Sequence, residues 1–225
     1  MIAGAKKALT VDGFLFVTGT GVSSETLERN LAIAQHAISG ISREEKLPYA
    51  AELDRGSYVG YKLRGIWQQQ GGVSDNLEVS LFMLYCYYSW KHYNLESHSF
   101  EDVESKHPAK LLPFIPEIKA FAEHTYHYVV YRILKLVSLA LELPEDHLWN
   151  LHEKRGTIGA ACQRFMGYFP RNEADDAATS GIWSKGHTDC KSVFVTPRIM
   201  LTDRQQYLLT VLPAYLRATD PDSSR

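Results

Sequence analysis

Two side chains able to hold a metal, His187 and Asp189, stand two residues apart in the run Lys185-Gly186-His187-Thr188-Asp189. On an extended strand such neighbours point to the same face, because strand side chains alternate with period two. One imidazole and one carboxylate on one face supply two of the three ligands of a 2-His-1-carboxylate iron site. The third should be a histidine well downstream. No histidine follows His187 in this sequence.

Other candidates have plainer readings. Gly19-Thr20-Gly21, after an apolar run and before a helical pattern, resembles half of a dinucleotide fingerprint. The third glycine and the acidic residue of a second strand are missing, so a tight strand-to-helix turn is expected there. His124 and His127 lie three apart on a helical stretch and could share a metal. With Glu123 and Tyr126 interleaved, they read instead as part of a solvated face. His147 and His152 have no partner at ligand spacing.

The elements that must position His187 and Asp189 follow from periodicity. Phe14-Leu15-Phe16-Val17 reads as a short buried strand. From Ser24 a helix is expected with Leu27, Leu31, Ala34 and Ile38 on one stripe, ending at Gly40. Residues 48–72 are polar and rich in glycine, which predicts irregular loop with short strands. The strongest helix runs from about Pro116 to Leu141, with Ile118, Phe121, Val129, Leu136, Val137 and Leu141 on its apolar side. A short helix to Asn150 follows Leu143-Pro144. Ile158 to Phe169 reads as a strand, Arg171 to Ser180 as a polar loop, and Ile182 to Asp189 as an extended piece. Helices first and strands later favour an α+β fold.

The bulk composition sets limits. With 225 residues, 45% apolar content and a formal net charge of -2, one soluble globular domain is expected, with no general electrostatic pull toward nucleic acid or anionic membrane. Cys86, Cys162 and Cys190 form no CxxC pair, which suits a reduced, cytoplasmic setting. The most apolar stretch, Val79 to Trp90, is too short to span a bilayer.

The surroundings of the His-x-Asp pair carry a resemblance. Arg164-Phe165-Met166-Gly167-Tyr168-Phe169-Pro170-Arg171, then an acidic loop, then Ile182-Trp183-Ser184-Lys185-Gly186-His187-Thr188-Asp189 resembles the 2-oxoglutarate and Fe(II)-dependent dioxygenases similar to isopenicillin N synthase, in particular the fungal small-molecule oxygenases. Asp12-Gly13-Phe14-Leu15-Phe16-Val17-Thr18-Gly19 is similar to a further element of that family, with Thr20 where a histidine is usual. Tyr61-Lys62-Leu63-Arg64-Gly65 and Leu111 to Ile118 fit as well. The resemblance implies a helical N-terminal part and a double-stranded β-helix (jelly roll). It also implies His187 and Asp189 as Fe(II) ligands, 2-oxoglutarate as cosubstrate and a small molecule of secondary metabolism as substrate. On that reading residues 1–150 are the helix-rich region, 151–189 begin the catalytic core, and 190–225 are an unmatched tail.

Two departures stand out. Reading Glu78 straight to His92 restores the family's run, which marks the thirteen residues Val79 to Lys91 as an insertion. Val79-Ser80 permits the codons of a splice donor, and so does Cys190-Lys191-Ser192, which suggests unspliced sequence at both places. The family's distal histidine and its 2-oxoglutarate-binding arginine have no counterpart. Arg198, Arg204 and Arg217 follow Asp189, but none stands behind a histidine. The sequence therefore predicts an incomplete jelly roll and doubtful activity, with a non-catalytic binding or interaction protein as the alternative.

Overall fold

The computed structural model describes residues 1–55, 60–83, 107–152, 162–182, 194–198 and 206–210, and the chain divides into two compact units. It is an α+β structure with two three-stranded antiparallel sheets. Among the described residues no helix is long and apolar enough to cross a membrane.

The first unit draws on residues 1–27 and 124–152 and on two strands of the tail. Helix α1 (Ile2–Lys7) continues into a π turn that Gly13 closes at φ 75°, its N–H donating to Ala8 O at 2.7 Å. A left-handed backbone there is open to glycine at little cost. Strand β1 (Phe14–Val17) follows. Leu15 and Val17 pack on a cluster of Val129, Ile133 and Val137, while Phe14 and Phe16 stay 44% and 43% exposed. The strand expected to be buried is therefore covered on one face only. Alternation turns every second side chain outward, and no second layer among the described residues covers that side.

The helix expected from Pro116 to Leu141 forms as three pieces. These are α4 (Ile115–His124), a π segment Thr125–Val130, and α5 (Tyr131–Ala140), preceded in the chain by α2 (Ser24–Gln35) and α3 (Arg43–Lys46). Ser138, fully buried on α5, donates to Leu134 O at 2.9 Å and accepts from the Leu148 N–H at 3.2 Å, which anchors α6 (His147–His152). The residues buried along α2 and the π turn after it are Leu27, Asn30, Ile33, Ala37 and Ile38. Leu31 lies 40% exposed, so the expected stripe is rotated: Asn30 takes an inward place that hydrophobicity would not assign to it.

The second unit draws on residues 28–55, 60–83, 107–123 and 162–182. Its sheet has the order β2 (Gly60–Lys62), β3 (Leu77–Met83), β4 (Cys162–Tyr168). The register sets Tyr61 opposite Ser80 and Ser80 opposite Phe165. Residues 79–83, the start of the segment read as an insertion, are thus part of the central strand, with Val79 and Ser80 buried. The rest of that segment lies outside the described residues. Gly167 has no side chain for a packing reason, since a Cβ there would come 2.5 Å from Ile38 Cγ2.

Two further differences concern the later chain. Arg171 to Ser180, expected as loop, contains helix α7 (Glu173–Ala178). Asn172 caps it by accepting from Asp175 N–H at 2.8 Å, and Glu173, Asp175 and Asp176 sit at its positive end. The tail holds β5 (Phe194–Arg198) and β6 (Gln206–Thr210), and β6 lies between β1 and β5. Pro197 stands on the edge strand β5, where a missing N–H costs least.

Candidate functional site

His187 and Asp189, the expected metal ligands, lie outside the described residues, as do Trp183 to Gly186. Among the described residues no three of His, Cys, Asp and Glu come together as a metal site. Several of the described histidines are engaged elsewhere. His124 donates from Nε2 to Thr20 O at 2.7 Å and stacks on Tyr128 with ring centroids 5.0 Å apart. It also fills the space beside Gly21, where a Cβ would meet His124 Cε1 at 3.2 Å. Gly19-Thr20-Gly21 is therefore a tight turn fastened by a helix histidine. The turn carries Gly19 at φ 69° and Gly21 at φ 74°. His127 sits edge-on to Tyr126 and close to Trp149. His147 borders an open cleft beside Asp146, a carboxylate that Lys135 and Tyr131 already engage.

What the structure does describe is the scaffold leading into the His-x-Asp segment. Strand β4 carries Arg164 to Tyr168 with clean alternation. Phe165 is buried on one face, while Met166 and Tyr168 share the other face with Arg164 and are 37% and 51% exposed. That open face presents a guanidinium, a thioether and a phenol. After the strand, Phe169 N–H donates to Asn76 O at 2.9 Å, and Asn76 Nδ2 donates to Pro170 O at 3.0 Å. The Arg64 guanidinium lies 3.9 Å over the Phe169 ring. Arg171 then reaches back: Nη1 donates to Thr179 Oγ1 at 2.5 Å and Nη2 to Ile182 O at 2.8 Å. Ile182 is the last described residue before His187 and Asp189.

Beneath this scaffold runs a set of buried charges that composition and spacing do not reveal. Lys46 pairs with Glu78, and its Nζ also donates to Ile38 O at 2.5 Å. Lys62 pairs with Asp75, donates to Leu77 O at 2.7 Å and lies 4.3 Å over the Trp67 ring. All four charged side chains are 4% exposed or less. Burial pushes the Lys62 ammonium down to about 8, with Glu78 opposing. Burial also raises the Tyr61 phenol and pushes the His107 imidazole down to about 4. Asp75 further accepts from the Gly65 N–H at 2.9 Å, which closes the turn between β2 and β3. The cluster is structural in its contacts. Each cation has a carboxylate and a carbonyl, the pattern that makes buried charge tolerable. Its one legible signal is the Tyr61-Lys62-Leu63-Arg64-Gly65 run, where apolar and charged residues alternate from the end of β2 into the turn after it.

No family model and no curated protein matches the chain. Solved structures do. A full-length Neurospora crassa protein crystallised in complex with alpha-KG (2-oxoglutarate) superposes with a TM-score of 0.66 at 12% identity, covering 96% of this chain and 69% of that one. The same protein with alpha-KG and thymine gives 0.66, with 96% and 70% covered. With alpha-KG and 5-formyluracil it gives 0.63, with 96% and 68% covered. At that identity the likeness speaks for architecture, and the chain shares the fold in which the Neurospora crassa protein binds alpha-KG.

Proposed function

We propose that this protein is an Fe(II)- and 2-oxoglutarate-dependent oxygenase of a small molecule, with His187 and Asp189 as metal ligands. The observation that carries the reading is a coincidence of two independent signals. A His-x-Asp pair ends a recognisable run of residues, and the fold is shared with alpha-KG-bound structures over 96% of the chain. An imidazole and a carboxylate are donors that suit Fe(II), and they leave one protein position of the triad unassigned. When bound, the iron would supply oxygen activation coupled to decarboxylation of 2-oxoglutarate to succinate.

The chain's own residues have definable tasks. Strand β4, held in register by β3, presents Arg164, Met166 and Tyr168 on one open face. Phe165 and the charges beneath hold the strand from behind. Substrate trials start with compounds of nucleobase size, the class represented by thymine and 5-formyluracil in the Neurospora crassa complexes. Absence of CxxC spacing suits a reduced, cytoplasmic site of action.

The second reading is a non-catalytic binding protein: His187 and Asp189 would supply only two ligands, and among the described residues no three of His, Cys, Asp and Glu come together. On this reading 79–91 and the sequence from Cys190 onward are unspliced intron. One assay separates the readings. Succinate formed from 2-oxoglutarate with added Fe(II) and oxygen, and lost in His187→Ala, supports the oxygenase. No succinate from a protein with native helical circular dichroism supports the binding protein. A transcript lacking the codons for 79–91 would establish the insertion, and its absence from the message pool would remove that idea.

A further inference from the structure

Two fully buried hydroxyls lie opposite each other in the sheet of the second unit. Ser80 stands at the middle of β3, the central strand, and Tyr61 is its register partner on β2. Opposed residues of an antiparallel pair share one face, so both side chains point into the same layer as Phe165, which is 4% exposed. Tyr61 and Ser80 are each fully buried. Neither the Tyr61 Oη nor the Ser80 Oγ meets a hydrogen-bond partner among the described residues. The surrounding charges do not answer them. Lys46 Nζ bonds Glu78 and Ile38 O and faces the Tyr61 ring at 5.5 Å, and His107 meets the same ring edge-on at 5.9 Å. Burial raises the phenol, while the Ser80 hydroxyl beside it draws it partly back.

We infer that Tyr61 and Ser80 together hold one internal water molecule between β2 and β3. Buried hydroxyls in folded proteins are bonded with few exceptions, and an orphaned one costs its full desolvation. Two orphans in register on neighbouring strands have one remedy in common, a small molecule that donates to one oxygen and accepts from the other. Water is that molecule, since each hydroxyl can donate or accept and an enclosed water needs roughly two to four polar partners. A larger ligand does not suit a place flanked by Phe165, the Tyr61 ring and His107, each 4% exposed or less. An apolar occupant does not suit it either, because both oxygens would stay unbonded. Serine rather than valine at this buried mid-strand position then has a reason. A methyl group in place of Oγ would expel the water and leave the phenol without a partner.

The test uses the full chain as parent, with Tyr61→Phe, Ser80→Ala and the double variant. Oxygen-17 relaxation dispersion counts water molecules held for longer than the protein tumbles, and hydroxyl protons do not contribute to it. The parent should exceed the double variant by one such water, with helical circular dichroism unchanged. Each single variant orphans the other hydroxyl, so its unfolding equilibrium should move by about tenfold. The double variant should lie about tenfold closer to the parent than the product of the single changes. Equal dispersion in parent and double variant overturns the site, and so do single changes that multiply independently. If the double variant does not fold, a high-resolution crystal structure of the parent decides. A water at hydrogen-bond distance from both oxygens establishes the site; a direct hydrogen bond between Tyr61 and Ser80, or a protein atom between them, overturns it.

Discussion

Acidification should unfold this protein through His107 before most of its carboxylates are protonated. His107 is 2% exposed, with its ring edge-on to Tyr61 at 5.9 Å. Burial holds its imidazole neutral, with a pKa of about 4 against an ordinary 6.5. The unfolded chain therefore takes up a proton near pH 6.5 while the folded one does not until near pH 4. Stability from the neutral ring is fully present above pH 6.5 and is lost as pH falls through that window. With the ring at about 4 when folded and 6.5 when free, roughly 2 kcal/mol is lost by pH 5 and roughly 3 kcal/mol by pH 4. Against a typical total of about 5–15 kcal/mol, that is a large share. Urea melts at pH 7.5, 6.0, 5.0 and 4.5 measure the effect, run in parallel on His107→Gln. The variant starts less stable but should show a pH slope shallower by about 2 kcal/mol between pH 7.5 and 5. Parallel slopes for the two proteins would refute the reasoning.

Three other perturbations have predictable outcomes. Lys46→Met removes the buried cation of Glu78, leaving it only the part-exposed Arg64 Nε at 3.7 Å, and should cost about 3 kcal/mol in a denaturant melt. Adding Glu78→Leu to it should recover much of that loss, because an apolar pair of similar volume carries no desolvation cost. Gly167→Ala pushes a methyl into Ile38 and should cost about 1–3 kcal/mol, with Ile38→Val partly restoring the melting temperature of the double variant. Asn172→Ala removes the cap of α7 and should cost about 1 kcal/mol, seen as faster amide exchange confined to Glu173–Ala178 and its exit.

The sequence reveals most where periodicity and chemistry act locally, and least where a side chain's partner is distant in the chain. The helix from Ile115 onward is visible because Ile118, Phe121, Val129 and Val137 repeat at helical spacing, and each is buried. The single-sided burial of β1 is hidden because Phe14 to Val17 are all apolar, so alternation leaves no mark in composition. Asn30 inside and Leu31 outside show the same limit, since the choice depends on what faces the helix. Helix α7 escapes a reading by periodicity although its cap and acidic first turn are written in Asn172-Glu173-Ala174-Asp175-Asp176; a polar surface helix has no apolar stripe to announce it. Lys46 with Glu78 and Lys62 with Asp75 pair across 32 and 13 positions and have no sequence signal as pairs.

That contrast bears on the metal-ligand reading. His187-x-Asp189 is legible because both ligands belong to one short run. Arg171 and Thr179, by contrast, read only as a polar loop until the fold joins them to Ile182. Finding a third ligand is a problem of the second kind. Such a ligand need be close only in space, as Arg171 is to Ile182 across eleven positions, so spacing after Asp189 is an incomplete guide to it. Co(II) binding by single histidine variants tests this directly. If His187→Ala alone abolishes binding and no other histidine variant weakens it, the protein supplies two ligands and the third position belongs to solvent or cosubstrate. A second histidine whose loss weakens binding as strongly would instead identify the ligand and restore the case for turnover.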